Sequence, residues 1–492
     1  MKKQTNLLGV KSLLTVLGVT SIAPQLAEAK KNEQNLVRPN VILINIDDLG
    51  WGDPSCYGGD LIRTVNMDRL AKEGIQCTNG YVSAPVSGVS RVGLLTGSYQ
   101  QRYGMQWNHD QWKTPKGGNK KMLPDEQTQL QTAFKHAGYV TAMSGKIGFD
   151  CHQPFDNYYS FSMNGVNSFP DEHGRYANVD VKSKGDGPKM NKNILWGGER
   201  DGEEHLTDRC GRQCVEFIKA NKDKPFFYYL AFNAPHTPLH AKASDKHRVA
   251  HIKSPVAQVF YSMVLTVDDN IGRILDCLEE LKLRDNTIVI LLSDNGPANP
   301  QYLSKTQDWW IKGVPYHVLG RRGGLNGCKG TMWEAGIRVP YIISWTGGLP
   351  KGMTYTKPVS TLDIYPTLCS AARLAASHTT ILDGVDLMPY LSGGYENTEP
   401  HDALYWYANR MGAVRQGDWK MLIEDDFHYL FNLKEDPSEK KNVMKEHPEI
   451  MEQLLDKYFQ FRNTMPAYRN PYVRPIDHTS EEVKALIAVD AE

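Results

Sequence analysis

Three short pieces of this chain carry residue types that can do chemistry together: Asp47-Asp48, the Ser-Gly-Val-Ser-Arg segment from Ser87 to Arg91, and Asp294-Asn295. Each aspartate piece follows an apolar run, and the serine piece lies between the two in sequence. Carboxylates joined by a side-chain amide form an oxygen-only donor set, which suits a hard cation such as Ca2+ or Mg2+ rather than zinc. A two-zinc phosphohydrolase site would require imidazoles, with histidine directly after the second aspartate. Asparagine stands at 295 instead, so one hard cation is the expected count. A hydroxyl beside such an ion is an activated nucleophile, and that is the place of Ser87. The same aspartates, taken singly, also fit helix caps, where Asp is favoured.

Elements must exist to bring these pieces together. Val41 to Ile46, Phe226 to Phe232 and Thr287 to Leu292 are apolar runs of strand length. Their apolarity is continuous rather than alternating, which predicts strands covered on both faces, as in a parallel sheet sandwiched by helices. Phe260, Val264, Val267, Ile271, Ile274 and Leu278 recur at steps of four and three, which predicts an amphipathic helix just before the third strand. The alternation describes an α/β fold. Polar residues follow each strand: Asp47-Asp48, Asn233 to His236, and Asp294-Asn295. Ligands of open α/β sheets bind beyond the carboxyl ends of the strands, so these groups are expected to converge on one site.

After Gly393-Gly394 the texture changes. Ala403 to Tyr407, Gly412 to Arg415, Lys420 to Ile423 and Tyr429 to Asn432 read as short antiparallel strands, followed by a helix over 448–463. A main domain over 36–394 and a small C-terminal subdomain over 395–492 are the expected organisation, in keeping with a length of 492 residues. Lys and Arg total 56, as do Asp and Glu, so no net field draws the protein to nucleic acid. Lys2, Lys3 and Lys11 precede an apolar stretch from Leu13 to Ala23, and Ala27-Glu28-Ala29 has the small residues of a cleavage site. Residues 1–29 are therefore expected to be a signal peptide, with the mature protein exported and free of a membrane anchor. The eight cysteines have spacings that match no disulfide or zinc framework, and Cys210 and Cys214, four apart on a predicted helix where they could hold a soft metal, read rather as buried thiols on one helix face.

The motifs, in this order, resemble those of the type I sulfatases of the alkaline phosphatase superfamily. The resemblance runs through Arg38-Pro39-Asn40, Asp47 to Gly50, Ser87 to Gly97, Ala234 to Pro238, Ser293 to Gly296, Lys329-Gly330, Glu334 to Pro340 and Arg415 to Lys420. It implies an alkaline phosphatase-like mixed sheet between helices, with a small C-terminal α+β subdomain carrying an antiparallel sheet. It further implies a sulfuric ester hydrolase whose Ser87 is oxidised to formylglycine, the hydrate of which is the nucleophile. By the same resemblance, Asp47, Asp48, residue 87, Asp294 and Asn295 hold one Ca2+, in preference to Mg2+. Arg91 stabilises the hydrate, Lys146 and Lys329 grip the sulfate oxygens, and His236 protonates the departing sugar oxygen. A serine rather than a cysteine at 87 is similar to the bacterial members matured by a radical-dependent, oxygen-independent enzyme. A sulfated saccharide, glycosaminoglycan or other, is then the expected substrate, and the periplasm the expected compartment.

Some positions depart from the family's pattern. Val89 stands where Pro or Ala is usual, and Gly148 where a histidine usually follows Lys146, so that either His152 substitutes from a rearranged loop or that contact is missing. Trp309, Trp310, His317, Arg321 and Arg322 are candidates to line the substrate pocket, by stacking on sugar faces or pairing with anions. Two other readings compete with the sulfatase: a phosphoester hydrolase using unmodified Ser87, against which Asn295, Lys146 and Lys329 argue, and a non-catalytic sulfoglycan-binding homologue.

Overall fold

Apolar runs rich in β-branched and aromatic residues form the middle of an eight-stranded sheet. The computed structural model describes residues 38–108, 123–124, 126–149, 155–161, 195–197, 204–237, 239–298, 319–374, 381–395, 398–408 and 410–466. The expected leader at 1–29, and His152, Trp309, Trp310 and His317, lie outside them. The strands are β1 (Asn40–Asp47), β2 (Ile75–Cys77), β3 (Val140–Lys146), β4 (Asn157–Phe161), β5 (Phe226–Pro235), β6 (Thr287–Ser293), β7 (Tyr341–Ser344) and β8 (Met353–Tyr355). Across the sheet they run β8-β2-β7-β6-β1-β5-β3-β4. β1 pairs in parallel with β5 and β6, and β3 in parallel with β5 and β4. β7 runs against both its neighbours, which makes the sheet mixed.

Parallel neighbours need long crossovers, and helices supply them. The principal ones are α1 (Val65–Lys72), α2 (Ser87–Thr96), α3 (Leu206–Ala220) and α4 (Pro255–Glu280). Successive side chains of a strand point to opposite faces, so an apolar strand without alternation must be covered twice. β1 shows this directly. Val41 and Leu43 enter one core with Val89, Val92 and Leu95 of α2. Ile42, Ile44 and Ile46 enter another with Phe217 of α3 and Val264, Val267, Ile271 and Ile274 of α4.

The C-terminal segments form an antiparallel sheet of β9 (Leu404–Ala408), β10 (Met411–Gln416), β11 (Trp419–Glu424) and β12 (Phe427–Asn432), followed by α5 (Pro448–Asn463). One face, with Val414, Met421 and Leu430, packs on Leu454 and Tyr458 of α5. The other, with Trp406, Ala413, Leu422 and Phe431, merges into the first core. The chain from Pro39 onward forms one compact unit. Among the described residues, no helix is long and apolar enough to cross a membrane.

The strand order places the chemistry. β6, β1, β5 and β3 are consecutive and parallel, so Asp294-Asn295, Asp47-Asp48, His236 and Lys146 all leave the sheet at the same edge. One glycine is built into this edge: Gly145 has φ +103°, and a Cβ there would stand 1.8 Å from the Ala231 carbonyl oxygen on β5. Gly145→Ala should therefore lower stability by at least about 1–3 kcal/mol, the cost of a backbone held in a region closed to L residues. The shift in urea midpoint checks this, and a change within about 0.5 kcal/mol would show that the edge can relax around the methyl group.

Candidate active site

Adjacent residues of a regular strand point to opposite faces, so Asp47 and Asp48 could not both serve one site if β1 simply continued. The chain departs from the strand at this point. The pairing of β1 with β5 slips between Asn45 and Asp47, and Asp48 adopts φ +66°, a left-handed conformation that aspartate tolerates better than most residues. Ser293, the last residue of β6, fixes the turn. Its hydroxyl accepts from Leu49 N at 3.0 Å and lies 3.1 Å from the Ile46 carbonyl and 2.8 Å from that of Asn295. Asp48 N then donates to Asp294 Oδ1 at 3.3 Å, and Asn295 Nδ2 to Asp48 Oδ1 at 2.7 Å.

The serine segment arrives as the first turn of α2, with Ser87 at its first position and Gly97, at φ +65°, ending it. The amide-rich end of a helix favours negative charge. Ser87 Oγ lies 3.1 Å from Asp47 Oδ1 and 3.0 Å from Asn295 Oδ1, so two acceptors from different strands meet at one hydroxyl. The residue is only 2% exposed. One turn on, at the i+4 position of the same face, Arg91 reaches the site from beneath. Its Nε donates to Asp294 Oδ2 at 2.9 Å and its Nη1 to the Lys146 carbonyl at 2.6 Å. Nη2 stands 2.7 Å from the same Asp294 oxygen but off line, an ionic contact rather than a hydrogen bond.

Two lysines and a histidine complete the cluster. Lys146 Nζ pairs with Asp47 Oδ2 at 2.5 Å, and Lys329 Nζ with Asp48 Oδ1 and Oδ2 at 2.6 and 2.9 Å. His236 Nδ1 donates to the Thr237 carbonyl at 2.6 Å, which leaves Nε2, 3.7 Å from Asp48 Oδ2, turned to the carboxylates. Burial alone would raise the Asp47 carboxyl, but Lys146, with His236, Arg91 and Lys329, outweighs it and holds the group well below the usual range. Asp294 goes the other way, up to about 6, because burial and the charge of Asp47 together exceed the pull of Arg91. Burial works against the charge on Lys329, and Asp48 more than restores it. The His236 ring is held down at about 4, chiefly by burial, so it is neutral near pH 7.

These residues fit a hard divalent cation. Asp47 Oδ1 and Asn295 Oδ1 already converge on Ser87, and Asp48 and Asp294 are bonded in beside them through Asn295 Nδ2 and Asp48 N. Asp47, Asp48 and His236 also present ligand atoms within 4.8 Å of one another, a second donor set that includes one nitrogen. The oxygen-only set differs in using Asp47 and Asn295, the two acceptors that face Ser87 from different strands.

The sequence profile of the family described as Sulfatase matches residues 39–374. The chain belongs to the sulfatase family. A second profile, for the C-terminal region of N-sulphoglucosamine sulphohydrolase, matches residues 328–464 of this sulfatase. The chain is 27% identical to an N-acetylgalactosamine-6-O-sulfatase of Bacteroides thetaiotaomicron, over 87% of its own length and 94% of the relative's. It is 28% identical to human steryl-sulfatase, over 77% and 74% of the two. Its fold matches a crystal structure of Ps i-CgsB in complex with k-i-k-neocarrahexaose with a TM-score of 0.73 and 29% identity, covering 92% of this chain and 98% of that one. It is a sulfuric ester hydrolase of the type I, alkaline phosphatase superfamily architecture.

The structure thus brings together Asp47, Asp48, Ser87, Arg91, Lys146, His236, Asp294, Asn295 and Lys329. It also gives Gly148 a physical reason. With φ +84°, a Cβ there would stand 2.9 Å from Arg91 Cδ, so the chain passes too close over the arginine for a histidine. Val89 is buried in the core beneath α2. Arg321 pairs with the exposed Asp60 at 2.8 Å, and Cys210 and Cys214 are buried free thiols. Sequence reasoning missed Asn108, whose Oδ1 accepts from Gly88 N at 2.8 Å, and Tyr229, whose hydroxyl accepts from Asn45 Nδ2 at 2.9 Å beside Arg91. Neither carried a local signal, since a cap twenty residues away and a tyrosine inside an apolar strand look ordinary in sequence.

Arg91 is wholly buried against Asp294. Removing one partner of such a pair leaves an uncompensated charge, so Arg91→Ala should cost about 3–5 kcal/mol in denaturant unfolding of the metal-free protein. A loss under about 1 kcal/mol would mean that Asp294 is protonated at the pH of the measurement or paired elsewhere.

Proposed function

We propose that this sulfatase removes sulfate from saccharides outside the cytoplasm, with Ser87 converted to formylglycine and one Ca2+ held by Asp47, Asp48, Asp294, Asn295 and residue 87. The observation that carries the reading is the position of Ser87 Oγ, at the amino end of α2, where Asp47 and Asn295 meet. The bacterial N-acetylgalactosamine-6-O-sulfatase supports a saccharide over a sterol, because the likeness to it spans more of both chains than the likeness to the human steryl-sulfatase. The run of Lys2, Lys3 and Lys11 before Leu13 to Ala23 supports export. Serine at 87 supports a radical-dependent maturase as the partner that installs the aldehyde.

The chemistry explains why a plain serine is insufficient. A serine that attacked sulfur would be left as a stable sulfate ester with no ready release. A geminal diol on the same carbon has a second hydroxyl, whose deprotonation expels sulfate and restores the aldehyde. The cation would lower the hydroxyl pKa and offset negative charge as a Lewis acid. The chain's own residues do the rest. Lys146 and Lys329 bring two ammonium groups to the anionic sulfate, and Arg91 holds the nucleophile's surroundings from below. His236, oriented by its Nδ1 bond to Thr237, directs Nε2 into the site and takes up a proton with the anionic substrate, to pass it to the leaving oxygen.

Mass spectrometry of the native protein should show the loss of two hydrogens at Ser87. Sulfate release by a fully unmodified protein would show the nucleophile to be another group. Where modification is partial, Val89→Pro should raise the modified fraction. Elemental analysis should find calcium at one per chain, and stoichiometric zinc would favour the Asp47, Asp48 and His236 set instead.

A sugar alkoxide leaves poorly without a proton, whereas nitrophenolate needs little help. His236→Ala should therefore slow release from a sulfated sugar by about a hundredfold or more, and from nitrophenyl sulfate by less than about tenfold. Equal losses on the two would show that His236 binds sulfate rather than donating a proton. A panel of sulfated mono- and oligosaccharides, with a steryl sulfate and a phosphate ester beside them, tests the substrate class. Preferential cleavage of either of the last two would displace the saccharide reading.

A further inference from the structure

Lys329 reaches Asp48 on a long side chain with many rotamers, so its placement depends on the backbone that carries it. That backbone is tied at successive residues to two parts of the site. Lys329 N donates to the Pro297 carbonyl and Gly330 N to the Pro85 carbonyl, each at 2.9 Å. Pro297 lies two residues beyond Asn295, and Pro85 two before Ser87. The same turn packs directly on the second aspartate piece. Gly296 N donates to the Gly336 carbonyl at 3.1 Å, and a Cβ on Gly296 would stand 1.6 Å from the Ala335 carbonyl oxygen.

The far end of this turn is fixed by charge. Glu334 is fully buried, and its carboxylate receives Tyr81 OH at 2.7 Å and Lys420 Nζ at 3.0 Å, with Arg338 3.5 Å away. Lys420, also fully buried, bonds Glu439 Oε1 at 2.7 Å, and Glu439 Oε2 accepts from Glu334 N at 2.7 Å. One ammonium from β11 therefore clamps two carboxylates, one of them on the turn that bears Lys329. The neighbouring Trp333 is held by the same sheet, through Nε1 to Glu424 Oε1 at 3.0 Å and ring contacts with Tyr429 and Phe431. Buried ion pairs contribute little net stability compared with well-packed apolar residues. Where such pairs are retained, their directional demands can serve to select one arrangement, and here the arrangement they hold is the turn that carries Lys329.

We propose that Lys420 and Glu439 of the C-terminal region are positioning residues for the sulfatase reaction: by clamping Glu334 they set the Lys329 turn, and so the Lys329 ammonium, over the site. This rests on the reading of Lys329 as a sulfate-binding group. The test is a double-mutant cycle on the full-length, formylglycine-loaded enzyme, pairing Lys420→Met with Lys329→Ala and reading kcat and KM for a sulfate ester along with the thermal midpoint.

Lys420→Met alone should lower kcat/KM by roughly a hundredfold, the loss that about an ångström of misplacement brings. In the Lys329→Ala background the same change should have little further effect, because the group it positions is gone. Full additivity of the two losses would overturn the positioning role and leave Lys420 a purely structural residue. An unaffected kcat/KM in folded Lys420→Met would overturn it as well. If Lys329→Ala by itself leaves kcat/KM unchanged, it is the sulfate-binding reading of Lys329 that fails, and the proposal falls with it. Should Lys420→Met not fold, Glu439→Gln, which keeps the shape and an acceptor, enters the same cycle with the same outcomes.

Discussion

Three carboxylates gathered out of water at the edge of one sheet are the constraint on which the site depends. Asp47, Asp48 and Asp294 are each at most 2% exposed, and charges that close repel strongly where the surroundings polarise weakly. The fold answers with three cations from three separate elements: Arg91 from a helix, Lys146 from a strand end and Lys329 from a turn. Each carboxylate has its own partner, and the sum of the six formal charges is zero. A divalent cation added to this balanced set leaves the site positive overall, which is the state that welcomes a sulfate ester and disfavours a neutral analogue.

That arrangement accounts for features that otherwise look unrelated. The left-handed turn at Asp48 and the slipped register of β1 bring neighbouring aspartates to one side. Gly148 is small because Arg91 must pass beneath it, and Gly296 is small because the Lys329 turn lies against it. Elsewhere, β1 is a regular strand with its side chains divided between two apolar cores.

The apolar strands, the amphipathic α4 and the C-terminal strands were legible because their signals are local. Runs of apolar residues and a three-four periodicity announce themselves within a dozen positions. The helix over 448–463 has the predicted bounds, and the four C-terminal strands fall within two residues of those expected. The short strands β2, β7 and β8 carry too few residues to show a period and form by adding in turn to the edge that β6 begins, β7 on β6, β2 on β7 and β8 on β2. The site was legible in the types and order of its residues, while its geometry was not. Nothing near Asp48 foretells a left-handed backbone, and nothing near Lys420 foretells that a lysine in a strand meets glutamates 86 and 19 residues away.

Ser87 lies in the first turn of a helix, with Gly330 bonded across to Pro85 just before it and almost no surface of its own. On the proposed reading, a modifying enzyme has to find this residue in an extended chain, and folding closes that opportunity. The two events then compete in time, and whichever comes first is recorded permanently in each molecule. A preparation would be a mixture of fully competent and fully inert copies with the same fold, in proportions set during synthesis. Its specific activity would report the history of its production as much as the quality of its active site.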